Sequence, residues 1–319
     1  MKIFVQKRRF LLSALAGFVF GAIGVVSMAA QPEAAGSGVS VKMVVTAEAQ
    51  RGSDVPVLDA KDVMVYEGKD RDQVTDWAPA QGDHAGLELF ILLDDSSART
   101  LATQFNDIRK FIDQQPSSVR IGVAYMRNGS AQIEQNLTSD HALAAKALRL
   151  PLGMMGINAS PYFALSDLVK HWPKSNDRHE VLMVSDGIDL YYGIGDLQDP
   201  YLATAIDDAQ RAGVMVSAIY SPGAGHFGHD YWQTYWGQLY LAELADRTGG
   251  ESYYIGLTGA PVAFSPYLDD FANRLNHQYI LTFLAKPEKK AGLRRVKVTT
   301  EVPNAQLVAA DQVYVPAAQ

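Results

Sequence analysis

The stretch Leu87-Glu88-Leu89-Phe90-Ile91-Leu92-Leu93-Asp94-Asp95-Ser96-Ser97-Ala98 decides the fold. Apart from Glu88, residues 87–93 are an unbroken apolar run with no polar alternation, which suits a central strand covered on both faces. Acids and hydroxyls follow at once, and then Leu101, Phe105, Ile108 and Ile112 mark one stripe of a helix, with Pro116 beyond its end. A buried strand, a polar loop and an amphipathic helix begin a strand–helix alternation.

Toward the C-terminus the alternation continues. Further buried strands are expected at 119–126, 181–185 and 214–220, with helices near 140–150, 160–172, 200–212, 239–248 and 261–275. Ser160-Pro161, Asp199-Pro200 and Ser265-Pro266 each place a capping oxygen before a proline at the first helical position. Gly213 and the pair Gly249-Gly250 sit where helices should stop. Such an alternation predicts a doubly wound, mainly parallel α/β sheet of Rossmann-like layout.

The ends of the chain follow a different pattern. Residues 39–77 read as strand and turn, with Val39, Val41, Met43 and Val45 alternating, and 79–86 read as a polar linker. After Gln278 strands return at 279–284, 296–300 and 307–315, with short loops that suggest antiparallel pairing. These terminal strands are expected to join in a small flanking β-sandwich. The expected division is a signal peptide at 1–30, an N-terminal β segment at 31–80, the α/β domain at 85–285 and a C-terminal β segment at 286–319.

The first thirty residues have the parts of an export signal: Lys2, Lys7, Arg8 and Arg9, an apolar run over 10–26, then Ser27, Ala29 and Ala30. Cleavage after Ala29 or Ala30 is expected, placing the rest in the periplasm or outside the cell. Left uncleaved, the segment would anchor the chain to the inner membrane. Without the signal cations 24 basic residues face 35 acidic ones, a net charge of about −11, which argues against nucleic acid as a partner. The chain has no cysteine, which excludes disulfides, thiolate metal sites and cysteine nucleophiles together.

In an open parallel sheet the functional surface lies at the carboxyl ends of the strands. Two of those ends are acidic here: residues 91–93 run into Asp94-Asp95-Ser96, and residues 183–185 run into Asp186-Gly187-Ile188-Asp189. Asp95, Ser96 and Ser97 can also serve simply as caps of the next helix. Two aspartates at neighbouring strand ends instead make a hard-oxygen site suited to Mg²⁺.

These residues resemble the von Willebrand factor A domains, and within them a group of bacterial secreted proteins, over about residues 85–285. The family's metal-ion-dependent adhesion site joins an Asp-x-Ser-x-Ser loop, a threonine from a second loop and an Asp-Gly after a later strand. Asp94 and Ser96 match the loop, and Asp186 with Gly187 matches the last element. Ala98 stands where the third loop residue should be serine, and the 156–160 loop lacks the threonine, leaving Ser160 or Asn158 to supply an oxygen. The resemblance implies an adhesion or interaction protein in which Mg²⁺, held by Asp94, Ser96, Asp186 and Ser160, bridges to an acidic group of a protein partner. Without an ion, the acids Asp94, Asp95, Asp186 and Asp189 would favour a basic partner instead.

His226 and His229 lie beside Asp230 in a glycine-rich segment, but their spacing fits no common zinc motif, and a contact surface on the functional edge is the better reading. Tyr191, Tyr192, Tyr231, Trp232, Tyr235 and Trp236 follow the same strand ends, with core packing weighed against interface anchoring. An enzyme is not expected. Phosphotransfer folds with paired aspartates use a lysine on a late loop, and no lysine occurs between Lys174 and Lys286. A structural envelope role, with a vestigial acidic edge, is the remaining alternative.

Overall fold

The structure, a computed structural model, describes residues 38–96, 99–153, 160–189, 191–193, 195, 199–221, 231–254 and 263–318. The export-signal reading of residues 1–30 lies outside them. The chain first lays down β1 (Val39–Ala49), β2 (Val63–Glu67) and β3 (Asp70–Pro79). The alternating part follows: β4 (Leu87–Asp94), α1 (Phe105–Asp113), β5 (Val119–Arg127), β6 (Ser130–Thr138), α2 (His141–Lys146), α3 (Pro161–Lys170), β7 (Arg178–Ser185), α4 (Pro200–Ala212), β8 (Val214–Tyr220), α5 (Tyr231–Thr248), β9 (Ser252–Tyr253) and α6 (Ser265–Asn276). Then come β10 (Gln278–Ala285), β11 (Gly292–Arg295), β12 (Lys297–Thr300), β13 (Ala305–Ala309) and β14 (Gln312–Val315).

The alternating part builds one sheet in the order β6-β5-β4-β7-β8-β9. All neighbours are parallel except β6, which pairs antiparallel with β5 through the turn Asn128-Gly129, where φ is 51° and 74°. Strand β4 is buried along its whole length. Its odd residues, Leu87, Leu89, Ile91 and Leu93, face the core shared with α1, α2 and α6. Its even residues Phe90 and Leu92 face the core shared with α3, α4 and α5. This is the doubly wound, mainly parallel sheet expected from the apolar run.

The terminal strands form a six-stranded antiparallel sheet, β12-β2-β3-β10-β1-β13, and a two-stranded one, β11-β14. Edge strands β12 and β13 contact each other, so the six-stranded sheet curls around its own core of Val41, Val45, Val65, Leu281, Phe283 and Val315. One boundary needs correcting. Strand β10, counted with the α/β domain to residue 285, pairs antiparallel with β1 and β3, so the α/β layer ends with α6 at Asn276. The polar segment at 70–73 belongs to β3, which carries the first β element as far as Pro79.

The helix caps follow the sequence twice out of three times. Ser160 Oγ accepts from Phe163 N at 3.4 Å, and Asp199 Oδ1 accepts from Tyr201 N and Leu202 N at 2.8 and 3.1 Å. Ser265, however, is already the first residue of α6. There the carboxylate of Asp107, from the first turn of α1, accepts from Phe264 N and Ser265 N at 2.8 and 3.1 Å. Helix α5 begins eight residues before the expected start, at Tyr231. Among the described residues no helix is long and apolar enough to cross a membrane.

Candidate functional site

Parallel pairing puts Leu93 level with Val184, so Asp94 and Ser185 end adjacent strands at the same height. The first loop turns immediately: Ser96 donates to Asp94 Oδ1 through its amide at 2.9 Å and its hydroxyl at 2.6 Å. Across the strand gap Ser185 Oγ donates to Asp94 Oδ2 at 3.2 Å, while Ile188 N donates to Asp186 Oδ1 at 2.9 Å. Asp94 and Asp186 are both buried. Burial first, and the nearby Asp186 charge second, push the Asp94 carboxyl up to about 6, against the hydrogen bonds from Ser96 and Ser185. Residues 94–96 and 186, almost a hundred positions apart, therefore meet on one rim.

The backbone is shaped to allow this. Gly187 has φ +69°, and a Cβ there would lie 2.4 Å from the Gly237 carbonyl oxygen. A Cβ on Gly237 would in turn lie 2.0 Å from the Asp186 carbonyl oxygen. The two glycines let α5 cross directly over the Asp186 loop, and Tyr162 OH adds a 2.6 Å bond to the Gly187 carbonyl.

The other expected site residues are placed differently. Asp95 is 2% exposed and faces away from Asp94, in a forked ion pair with Arg149, so it is no part of an anionic surface. Asp189 is fully buried: Tyr191 N and Tyr192 N donate to Oδ1 at 2.8 and 2.9 Å, and Ser160 Oγ donates to Oδ2 at 2.6 Å. Ser160 is thus committed to Asp189 and to its helix cap. His226 and His229 lie outside the described residues, as do Asn158 and Ala98. Tyr191, Tyr192, Tyr231, Trp232 and Tyr235 are exposed, whereas Trp236 packs beside the core, so the core reading holds only for Trp236.

Two residues at the site were not read from the sequence. Ser185 bonds Asp94, and its position directly before Asp186 at a strand end was the available signal. Arg149 lies 54 positions from the carboxylate it holds, and no local pattern announces such a pair.

The fit of a divalent cation is a matter of donors. Asp94, Ser96 and Asp186 supply hard oxygens, and the Asp186 charge lies close enough to oppose ionisation of Asp94, the condition a dication relieves. Among the described residues no cluster of three or more His, Cys, Asp or Glu could hold a metal. Asp94, Ser96 and Asp186 are the residues that would hold such an ion.

Strand order, two-faced packing and the meeting of Asp94 with Asp186 define a doubly wound α/β domain with an acidic site at the carboxyl edge of its parallel sheet. No protein-family model and no curated protein matches the chain. Among solved structures it is similar to an aerotolerance-related membrane protein from Bacteroides fragilis, at 17% identity and TM-score 0.44, over 60% of this chain and 99% of that one. The BatB protein from Bacteroides thetaiotaomicron is similar at 15% identity and TM-score 0.44, over 60% and 98%. The SpRpn10 VWA domain is similar at 15% and 0.40, over 59% and 96%.

Proposed function

We propose that this chain is an exported, non-catalytic interaction protein that engages a protein partner at the carboxyl edge of its parallel sheet, with Mg²⁺ held there by Asp94, Ser96 and Asp186. The observation that carries this reading is that Asp94 and Asp186, both buried, come together with Ser96 at adjacent strand ends, with the Asp186 charge close enough to raise the Asp94 carboxyl. Bringing two carboxylates together in a buried place costs stability, and a bound cation would offset that cost. When bound, the ion would supply positive charge and an open coordination position for an acidic group of the partner.

Ser160, first counted as a ligand, positions Asp189 in this reading. Without an ion the same rim favours a basic partner. Titration calorimetry of the exported chain with Mg²⁺ and Mn²⁺, with Asp94→Ala as control, tests the proposal. Heat in the wild type that vanishes in the variant is expected; no heat in the wild type removes the cation and leaves the basic-partner reading.

A further inference from the structure

We infer that Asp95 and Arg149 are a positioning pair, a clamp that locks the segment 149–153 onto the Asp94–Ser96 loop and so fixes the direction of the Asp94 carboxylate. The bearing of this clamp on a cation rests on the function proposed above; the clamp itself does not.

The observations converge on one carboxylate. Arg149 Nη1 donates to Asp95 Oδ1 at 2.7 Å and Nη2 to Oδ2 at 3.1 Å, the fork geometry that makes arginine–carboxylate pairs directional. Leu152 N donates to the same Oδ1 at 2.9 Å, and Gly153 N donates to the Asp95 carbonyl at 2.9 Å. Asp95 N in turn donates to the Met126 carbonyl at 3.2 Å, so the clamp is anchored to β5.

Arg149 is held from its other sides. Its guanidinium lies 3.9 Å from the Tyr125 ring centroid, and its Nε donates to Glu134 Oε1 at 2.8 Å. Tyr125 OH bonds the Arg149 backbone at both its carbonyl, 2.7 Å, and its amide, 2.8 Å. Asp95 is thereby tied to β5, β6 and the 149–153 segment at once. With its side chain fixed on that side, Asp94 before it and Ser96 after it are presented toward Ser185 and Asp186. A cap would need only one amide; a buried forked pair stacked on an aromatic ring fixes an orientation.

The amides report the clamp directly, with no ion present. In the full-length chain without metal, amide hydrogen exchange is compared for wild type, Asp95→Asn and Arg149→Lys, with circular dichroism confirming the fold. Asp95→Asn should speed exchange at Leu152 and Gly153 at least tenfold, and also at Ser96, whose amide is bonded to Asp94. Arg149→Lys should fall between, because an ammonium keeps one bond and loses the fork and the stack. Unchanged exchange at 152 and 153 overturns the clamp, and faster exchange there with Ser96 unchanged overturns its positioning role.

A Mg²⁺ titration of the same proteins is the second arm. About a tenfold loss of affinity in Asp95→Asn is expected. No heat in the wild type removes the cation reading, and exchange alone then judges the clamp. Equal affinity in wild type and variant overturns the positioning role even if the wild type binds. Should Asp95→Asn fail to fold, Arg149→Lys carries both measurements.

Discussion

The two edges of the parallel sheet treat buried charge differently. At the amino edge buried charges are held by ionic or polar partners: Glu88 accepts from Arg120 and from Trp172 Nε1, Arg274 bridges Glu48 and Glu251, and Arg178 and Glu180 are joined through Gln278. Many of these contacts run to β1 and β10, so this edge is the seat of the flanking antiparallel body. At the carboxyl edge the Asp186 charge lies near Asp94, both acids accept hydrogen bonds from their own loops, and Asp95 and Asp189 are held by Arg149 and Ser160. The amino edge ties the two sheets together, and the carboxyl edge brings two carboxylates close to each other.

The largest expected effect breaks the amino edge. Arg274→Ala leaves Glu48 and Glu251 without their shared guanidinium in a mostly buried setting. Loss of about 3–5 kcal/mol is expected, read as a lower urea midpoint. Mg²⁺ binding by the fraction still folded should be unchanged, and a parallel loss of binding would show that the two edges are not independent.

The carboxyl edge should behave with the opposite sign. Asp94 keeps its proton to about pH 6 in the folded chain, against 3.8 as its ordinary value. Between these values the folded state binds more protons than the unfolded one, so stability falls as pH rises from about 4 to 6. The loss is on the order of 3 kcal/mol, absent below that window and complete above it. Asp94→Asn should remove this part of the pH dependence and be more stable than wild type at pH 7 without metal. Urea midpoints at pH 4 and 7 check it: an equal pH dependence in both proteins would mean that the pair is not a site of stored repulsion.

How far the sequence disclosed this contrast depends on how local each signal is. The β4 run, the Asp94 and Asp186 strand ends and the Pro-initiated caps of α3 and α4 are local, and all are where the residues put them. Strand β6 has a local signal too, since Asn128-Gly129 is a strong two-residue hairpin turn. The destination of β10 was not legible from its own residues, because its apolar alternation suits either sheet and only pairing with β1 and β3 decides. Asp95 and Asp189 look identical to Asp94 and Asp186 in sequence. What separates them is an arginine 54 positions away and a serine 29 positions away.

A moderate effect links backbone to site. Gly187→Ala would press a methyl against the Gly237 carbonyl and Leu241 while holding an alanine at φ +69°. About 2 kcal/mol of destabilisation is expected by thermal unfolding, together with weaker Mg²⁺ binding, since Asp186 must shift with its neighbour. Full stability in this variant would show that α5 can move away from the carboxyl edge without loss.

The smallest effect tests whether a carboxylate near that edge is functional merely by being there. Asp107 sits in the first turn of α1 and receives Phe264 N and Ser265 N, the amides at the start of α6, which lack a cap of their own. Helix starts leave amides unsatisfied, and a carboxylate there is favoured by both the bonds and the helix dipole. Asp107→Ala should therefore cost about 1 kcal/mol, the ordinary worth of a cap, and Asp107→Asn about half as much because one oxygen acceptor remains. Neither should alter Mg²⁺ affinity, because Asp107 serves a helix end and not the Asp94–Asp186 pair. A change in affinity without a change in stability would reverse that assignment and extend the acidic site along the rim toward α6.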